Sequence, residues 1–370
     1  MSGLWRFRKA WTGGPDNGRF ERISLRQAAL AYGSLNLATH RVERSNSNRR
    51  TQGMAMKART RALVIGTSAL IALGLVACSP EEETSTDGTS EGTEASGDAY
   101  ETLIAEGPVA DDATIEANEW ASAVKESGAL RVGGTETSEL FSLLDVTTNK
   151  ARGFDAAISQ LLAQYILGEP TTELTQVTVD TREELLVNDN VDVVFATYSI
   201  TPERAERIDF AGPYYQSQAA ILVKEDNADI TSLEDLAGKK VATQANSTGQ
   251  TLLETEAPEA EILALPDHAQ ALASVIDGNA DAYVIDQTLL LNAVLANEGE
   301  VKIVGDPFGP SDLYGIGLQQ GGDGAEFINA FLTQIIEDGT WDKVWTLTIG
   351  DRTGVETIPA PPVPGETGLS

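Results

Sequence analysis

Between residues 113 and 352 the hydrophobic period switches repeatedly between strand and helix. That alternation restricts the chain to layered α/β architectures more than any other feature. Leu130-Arg131-Val132-Gly133 reads as a short strand, and Phe154, Ile158, Leu161, Leu162, Tyr165 and Ile166 follow helical spacing. Thr181 with Glu184 predicts a capping box, and Val191-Asp192-Val193-Val194-Phe195 a β-branched strand. The pattern repeats with a strand at 219–223, a second capping box at Thr231 with Glu234, a stop at Gly238 and a strand at 240–243. A helix over 269–277, stopped by Gly278, then feeds the strand Ala282-Tyr283-Val284-Ile285. Strands separated by helices predict largely parallel sheets. No internal repeat recurs, and neither a dinucleotide glycine fingerprint nor a Walker loop supports nucleotide binding.

Charge narrows the function classes. Residues 1–77 carry 13 basic and 3 acidic side chains, whereas 78–370 carry 13 basic and 53 acidic. A body this acidic repels phosphates, which excludes a non-specific nucleic-acid binder. The single cysteine, Cys78, excludes an internal disulfide and a multi-cysteine metal site. Two histidines, His40 and His268, leave little material for a histidine metal site or a catalytic triad. No metal and no cofactor are therefore expected.

The surroundings of Cys78 form an address label. Lys57, Arg59 and Arg61 precede sixteen uncharged residues, 62–77, which are short for a membrane span of about 20. They suit the apolar region of a signal peptide. Leu75-Val76-Ala77-Cys78 resembles a bacterial lipobox, which implies a diacylglyceryl group on the Cys78 thiol and cleavage before it; the alternative is a short membrane anchor with a buried cysteine. The signal is expected over 56–77, with 1–55 a non-structural upstream extension. Residues 78–112, rich in Glu, Thr, Ser, Gly and Asp, are expected to form a flexible acidic tether. The tail, 353–370, is Pro/Gly-rich towards its end and expected to lack structure.

At Ser199-Ile200-Thr201-Pro202-Glu203-Arg204, followed by Ile208-Asp209-Phe210 and Gly212-Pro213-Tyr214-Tyr215, the sequence resembles the polar amino-acid-binding proteins of bacterial ABC importers, extracellular solute-binding protein family 3. The resemblance runs over about 130–350 and includes Gly153-Phe154-Asp155, Ser247-Thr248, Asp281-Ala282 with Asp286, and Asp338-Gly339-Thr340-Trp341. It implies an α/β, two-lobed periplasmic-binding-protein fold (type II), with lobe 1 over 128–216 plus 311–352 and lobe 2 over 217–310. Two hinge segments would join the lobes around a ligand cleft. It also implies a monomer, lipid-anchored at the extracytoplasmic face of the cell membrane, that hands a free amino acid to an ABC permease and its ATPase and catalyses nothing.

By the same resemblance, Arg204 grips the ligand α-carboxylate, a task its rigid fork suits. Thr197 and Ser199 complete that shell, and Asp286, at a strand's carboxyl end, accepts from the ligand ammonium. Arg204 on a solvated turn and Asp286 as a helix cap are the alternatives. Ser247 and Thr248 precede a helix expected from Gln250, whose N-terminus favours an anion. Asn246 stands where the family usually has glycine, and asparagine tolerates the left-handed backbone. Arg182, 22 residues before Arg204, matches the position where relatives that take acidic amino acids carry arginine; its alternative is a solvated helix start. Thr135 and Ser138 replace the acidic and aromatic residues of cationic-amino-acid binders. Glutamate is the expected ligand and glutamine the runner-up. Lys150 and Arg152 are further cations, better explained as a solvated loop. Competing readings are an enzyme of dehydratase or lyase type on the same fold, and a sensory ligand-binding module.

Overall fold

The computed structural model describes residues 99–369. The expected upstream extension (1–55), signal segment (56–77) and Cys78 lie outside the described residues, as does the tether up to residue 98. Among the described residues, no helix is long and apolar enough to cross a membrane.

Eleven strands are described: β1 Leu130–Gly134, β2 Thr137–Ser138, β3 Ser142–Asp145, β4 Lys150–Arg152, β5 Thr172–Gln176, β6 Val193–Phe195, β7 Asp209–Lys224, β8 Lys240–Gln244, β9 Glu261–Leu265, β10 Ala282–Asp286 and β11 Val301–Leu318. Eight of them form one sheet in the order β5-β1-β6-β11-β7-β10-β8-β9, and β2-β3-β4 form a small second sheet. At one end β1 runs parallel to β5 and β6; at the other β8 runs parallel to β9 and β10. Between them β7 and β11, of 16 and 18 residues, lie antiparallel and extend through both groups. Their register shifts between Val304 and Phe308, between Phe308 and Asp312, and between Tyr314 and Ile316. Irregular pairing of this kind bends a ribbon. The result is the two-lobed type II arrangement that the motifs imply, with each lobe built as strands and crossover helices.

One lobe is held by an aromatic nucleus. Phe154, first residue of the helix Phe154–Leu167, packs with its ring centroid 5.2 Å from Tyr215 and 5.5 Å from Trp341. Trp341 Nε1 donates to the Tyr214 carbonyl at 2.9 Å, so this large ring is buried with its polar atom satisfied. The helix can approach because residue 153 is glycine: its φ is +132°, and a Cβ there would collide with the Phe141 carbonyl.

Several expectations need correction. The Thr181–Glu184 capping box does not form; Thr181 has helical backbone angles and its Oγ1 instead accepts from Thr178 N at 3.0 Å. The second box is displaced by one residue, to Ser232 with Asp235, and opens only a 3₁₀ turn, Leu233–Leu236. Asp235 Oδ2 gathers the Thr231 and Ser232 amides, which favours the shorter acid over Glu234. The tether ends earlier than residue 112. Residues 99–105 are helical and bury Tyr100 and Ile104, because Tyr100, Leu103 and Ile104 share a face. The tail has no helix or strand beyond residue 354, yet the Gly365 amide donates to the Gly212 carbonyl at 2.7 Å, so it docks on β7.

Candidate functional site

The carboxyl end of β6 leads through residues 196–201 into a one-turn helix, Pro202–Ala205. Thr201 caps it by accepting from the Arg204 amide, and Pro202 presets its first φ. This turn folds the Arg204 side chain back towards the strand end, where it is 8% exposed. Its Nη1 donates to the Ser199 carbonyl at 2.8 Å and its Nη2 to the Asn246 carbonyl at 3.3 Å. A solvated turn is therefore not its environment.

Arg182 is 4% exposed, with Nη1 donating to the Ala196 carbonyl at 3.2 Å and Nε lacking a hydrogen-bond partner in the structure. Its guanidinium lies 3.7 Å from the centre of the Tyr198 ring, and that of Arg204 lies 5.3 Å from the same centre. Burial, reinforced by the Arg204 charge, pushes the Arg182 pKa down to about 9. Among the described residues, no carboxylate forms an ion pair with either arginine. The aromatic face between them is only a partial counter-charge. Two buried guanidiniums side by side favour an anionic visitor.

The cavity that both arginines line also holds a buried acid. Asp286 closes β10, is 5% exposed, and occupies the N-cap position of the helix Gln287–Ala296 without making a cap hydrogen bond. Burial, followed by the charge of Asp312, raises its pKa well above the ordinary carboxylate value. A cation placed beside it would relieve both penalties. Thr248 Oγ1 donates to Asp312 Oδ2 at 2.9 Å and lies 3.5 Å from Ser199 Oγ, bringing the two sides of the cleft together. Asn246 has φ +57° and donates through Nδ2 to Asp180 Oδ1 at 2.6 Å. The helix it precedes starts at Thr248, two residues before the expected Gln250. Ser247 caps that helix: its Oγ accepts from Gln250 N at 3.1 Å and donates to the Gln244 carbonyl at 2.7 Å. Its hydroxyl thus shapes the turn.

Thr197, Ser199, Arg204, Arg182, Ser247, Thr248 and Asp286 all line one cavity of about 180 Å³. That is below the roughly 300 Å³ at which pockets for drug-sized ligands begin, and suits a small polar molecule. Thr135 and Ser138 line it as well. Lys150 does not: it lines a separate groove of about 620 Å³ and, like Arg152, pairs with Glu101 at 3.3 Å. Sequence reasoning missed His268 as a wall of the small cavity. Its Nδ1 lies 3.1 Å from Tyr283 Oη, and burial lowers its pKa to about 4, so it is neutral at pH 7. An aspartate before a helix-opening histidine was the available signal.

Behind the cavity, Asp155 is buried and its pKa is raised to about 6 by desolvation, against two hydrogen bonds that lower it. Because the folded value exceeds the unfolded one, its contribution to stability is full below about pH 4 and is lost as pH rises through 6. Asp155→Asn is therefore expected to be more stable than wild type by roughly 2–3 kcal/mol at pH 7, with the gap closing near pH 4. Urea unfolding at both pH values checks this, and a pH-independent gap would contradict it.

A sequence profile for bacterial extracellular solute-binding proteins, family 3, matches residues 130–346. The ABC transporter glutamine-binding protein GlnH of Bacillus subtilis (strain 168) is 31% identical over 227 residues, covering 60% of this chain and 82% of its own. The glutamate-binding protein GluB of Corynebacterium glutamicum is 30% identical over 238 residues, covering 61% and 80%. Among solved structures, an ancestral arginine-binding protein bound to glutamine superposes with a TM-score of 0.55 at 33% identity, covering 60% of this chain and 98% of its own. The solute receptor for L-cysteine of Neisseria gonorrhoeae gives 0.61 at 25% identity, covering 65% and 97%.

Proposed function

The chain belongs to the bacterial extracellular solute-binding proteins of family 3, and from that membership we propose that it captures glutamate, with glutamine second, and delivers it to an ABC permease and its ATPase. The observation that carries this reading is the pair of buried guanidiniums without carboxylate ion pairs, lining one small cavity with the buried Asp286. A zwitterion with a second carboxylate supplies what each wall lacks. Arg204 takes the α-carboxylate with Ser199 and Thr197 beside it, Asp286 accepts from the ammonium, and Arg182 reads the distal carboxylate. Thr248 contributes from the other lobe, and Ser247 sets the turn that presents it. Residues 128–216 plus 311–352 form lobe 1 and 217–310 lobe 2, a division supported by the register shift between Phe308 and Asp312, beside the Asp312–Ser217 pairing of β7 and β11.

A thermal-shift screen of the free amino acids tests the assignment. A ligand that binds only the native state adds roughly 4 kcal/mol at a thousandfold excess over Kd. Glutamate should give the largest shift and lysine or arginine none; a screen in which no amino acid shifts the protein would refute the reading.

The protein acts as a monomer held at the extracytoplasmic face through lipidated Cys78, a reading supported by the basic flank and the Leu75-to-Cys78 tetrapeptide. Cys78→Ser is expected to release the acidic body from the membrane or leave the signal uncleaved. Fractionation showing a mutant processed and retained like wild type would rule the anchor out.

A further inference from the structure

We infer that Asp155 is a positioning residue for ligand selectivity, holding Arg182 in place through a single peptide group. The inference rests on the proposed reading of Arg182 as the cation that meets the distal carboxylate. Asp155 Oδ2 accepts from the Thr197 amide at 3.0 Å, and Asp155 Oδ1 accepts from Tyr214 Oη at 2.7 Å. The carbonyl of that same 196–197 peptide is the acceptor for Arg182 Nη1. In a trans peptide the N–H and C=O point in opposite directions. The Asp155 carboxylate and the Arg182 guanidinium therefore grip the two ends of one rigid plane.

Three further features make that plane dependent on Asp155. Thr197 is β-branched yet has φ +43°, a conformation such residues avoid unless held there. Asp155 is 1% exposed and fixed at the second position of the helix Phe154–Leu167, whose start is pinned by Phe154 in the aromatic nucleus. An acceptor on the N–H side also polarises the peptide and strengthens its carbonyl as an acceptor, since linked hydrogen bonds reinforce one another. Asp155 lines the larger groove and Thr197 the ligand cavity, so the carboxylate acts from outside the ligand site.

A support that merely stiffened the lobe would affect all ligands alike. Support delivered through Arg182 acts on glutamate more than on glutamine. Calorimetry with L-glutamate and L-glutamine should show Asp155→Ala weakening glutamate by about tenfold more than glutamine, the loss common to both being the share of Thr197 in the α-carboxylate shell. Asp155→Asn keeps an acceptor for Thr197 and offers Nδ2 to Tyr214 Oη, so it should stay within about threefold of wild type for both. In an Arg182→Met background, Asp155→Ala should weaken glutamate and glutamine alike, to within about threefold of each other. Equal weakening of both ligands, no weakening of either, or the full difference between them without Arg182 would overturn the inference. Hydrogen exchange in the wild-type protein decides the matter if Asp155→Ala fails to fold. The Thr197 amide should be protected, and exchange as fast as that of solvent-facing loop amides would overturn the inference. Should the wild type bind neither amino acid, the ligand reading fails while the exchange result still judges the Asp155 contact.

Discussion

Arg204→Ala is expected to weaken every free amino-acid ligand by several hundredfold or more. All such ligands share the α-carboxylate, and removing one partner of a buried charge pair costs roughly 3–5 kcal/mol. The structure adds a second contribution, because Arg204 Nη2 reaches the Asn246 carbonyl across the cleft. Losing it removes a contact between the two walls as well as the ligand's counter-charge. The fold should survive, since Arg204 lies within a one-turn helix and its guanidinium donates to two backbone carbonyls, with the Tyr198 ring 5.3 Å away. Arg182 should then titrate higher, because the Arg204 charge is one cause of its lowered pKa. Calorimetry on the folded variant showing less than about a tenfold loss would reject the role.

The second large effect concerns selectivity. Arg182→Met keeps an unbranched stem against the Tyr198 ring and removes the charge, so it separates packing from pairing. Glutamate affinity is expected to fall by roughly 2–5 kcal/mol, and glutamine affinity by much less. The variant should also be at least as stable as wild type without ligand. Wild type buries a guanidinium whose Nε has no hydrogen-bond partner and whose nearest like charge is Arg204. Equal loss for both ligands would mean that Arg182 shapes the cavity without reading charge.

The alternation of strand and helix was legible because each crossover helix buries one face, as the apolar spacing of the helix Phe154–Leu167 illustrates. The length of β7 was not. Gly212 and Pro213 break the alternation, yet the strand runs on from Asp209 because Pro213, which has no N–H to give, falls at the register shift opposite Gly315. Capping boxes were misplaced because the sequence pattern does not say which hydroxyl wins: Thr178 draws Thr181 away from its helix, and Asp235 outcompetes Glu234. The motif around Arg204 marked residues that do converge on one cavity. His268 and Asp155 escaped notice for different reasons. The first reaches the cavity from a helix start distant in sequence, and the second acts from behind, through a backbone amide that no motif encodes.

On the proposed reading, two cations without ion pairs and a buried acid in one cavity form a seat for an acidic amino acid. Isothermal titration of the wild-type protein at pH 7 with L-glutamate, L-glutamine and L-lysine is the deciding measurement. One glutamate per chain should bind, more tightly than glutamine, and lysine should give no heat. Tightest binding by lysine, or no binding by any of the three, would contradict that reading.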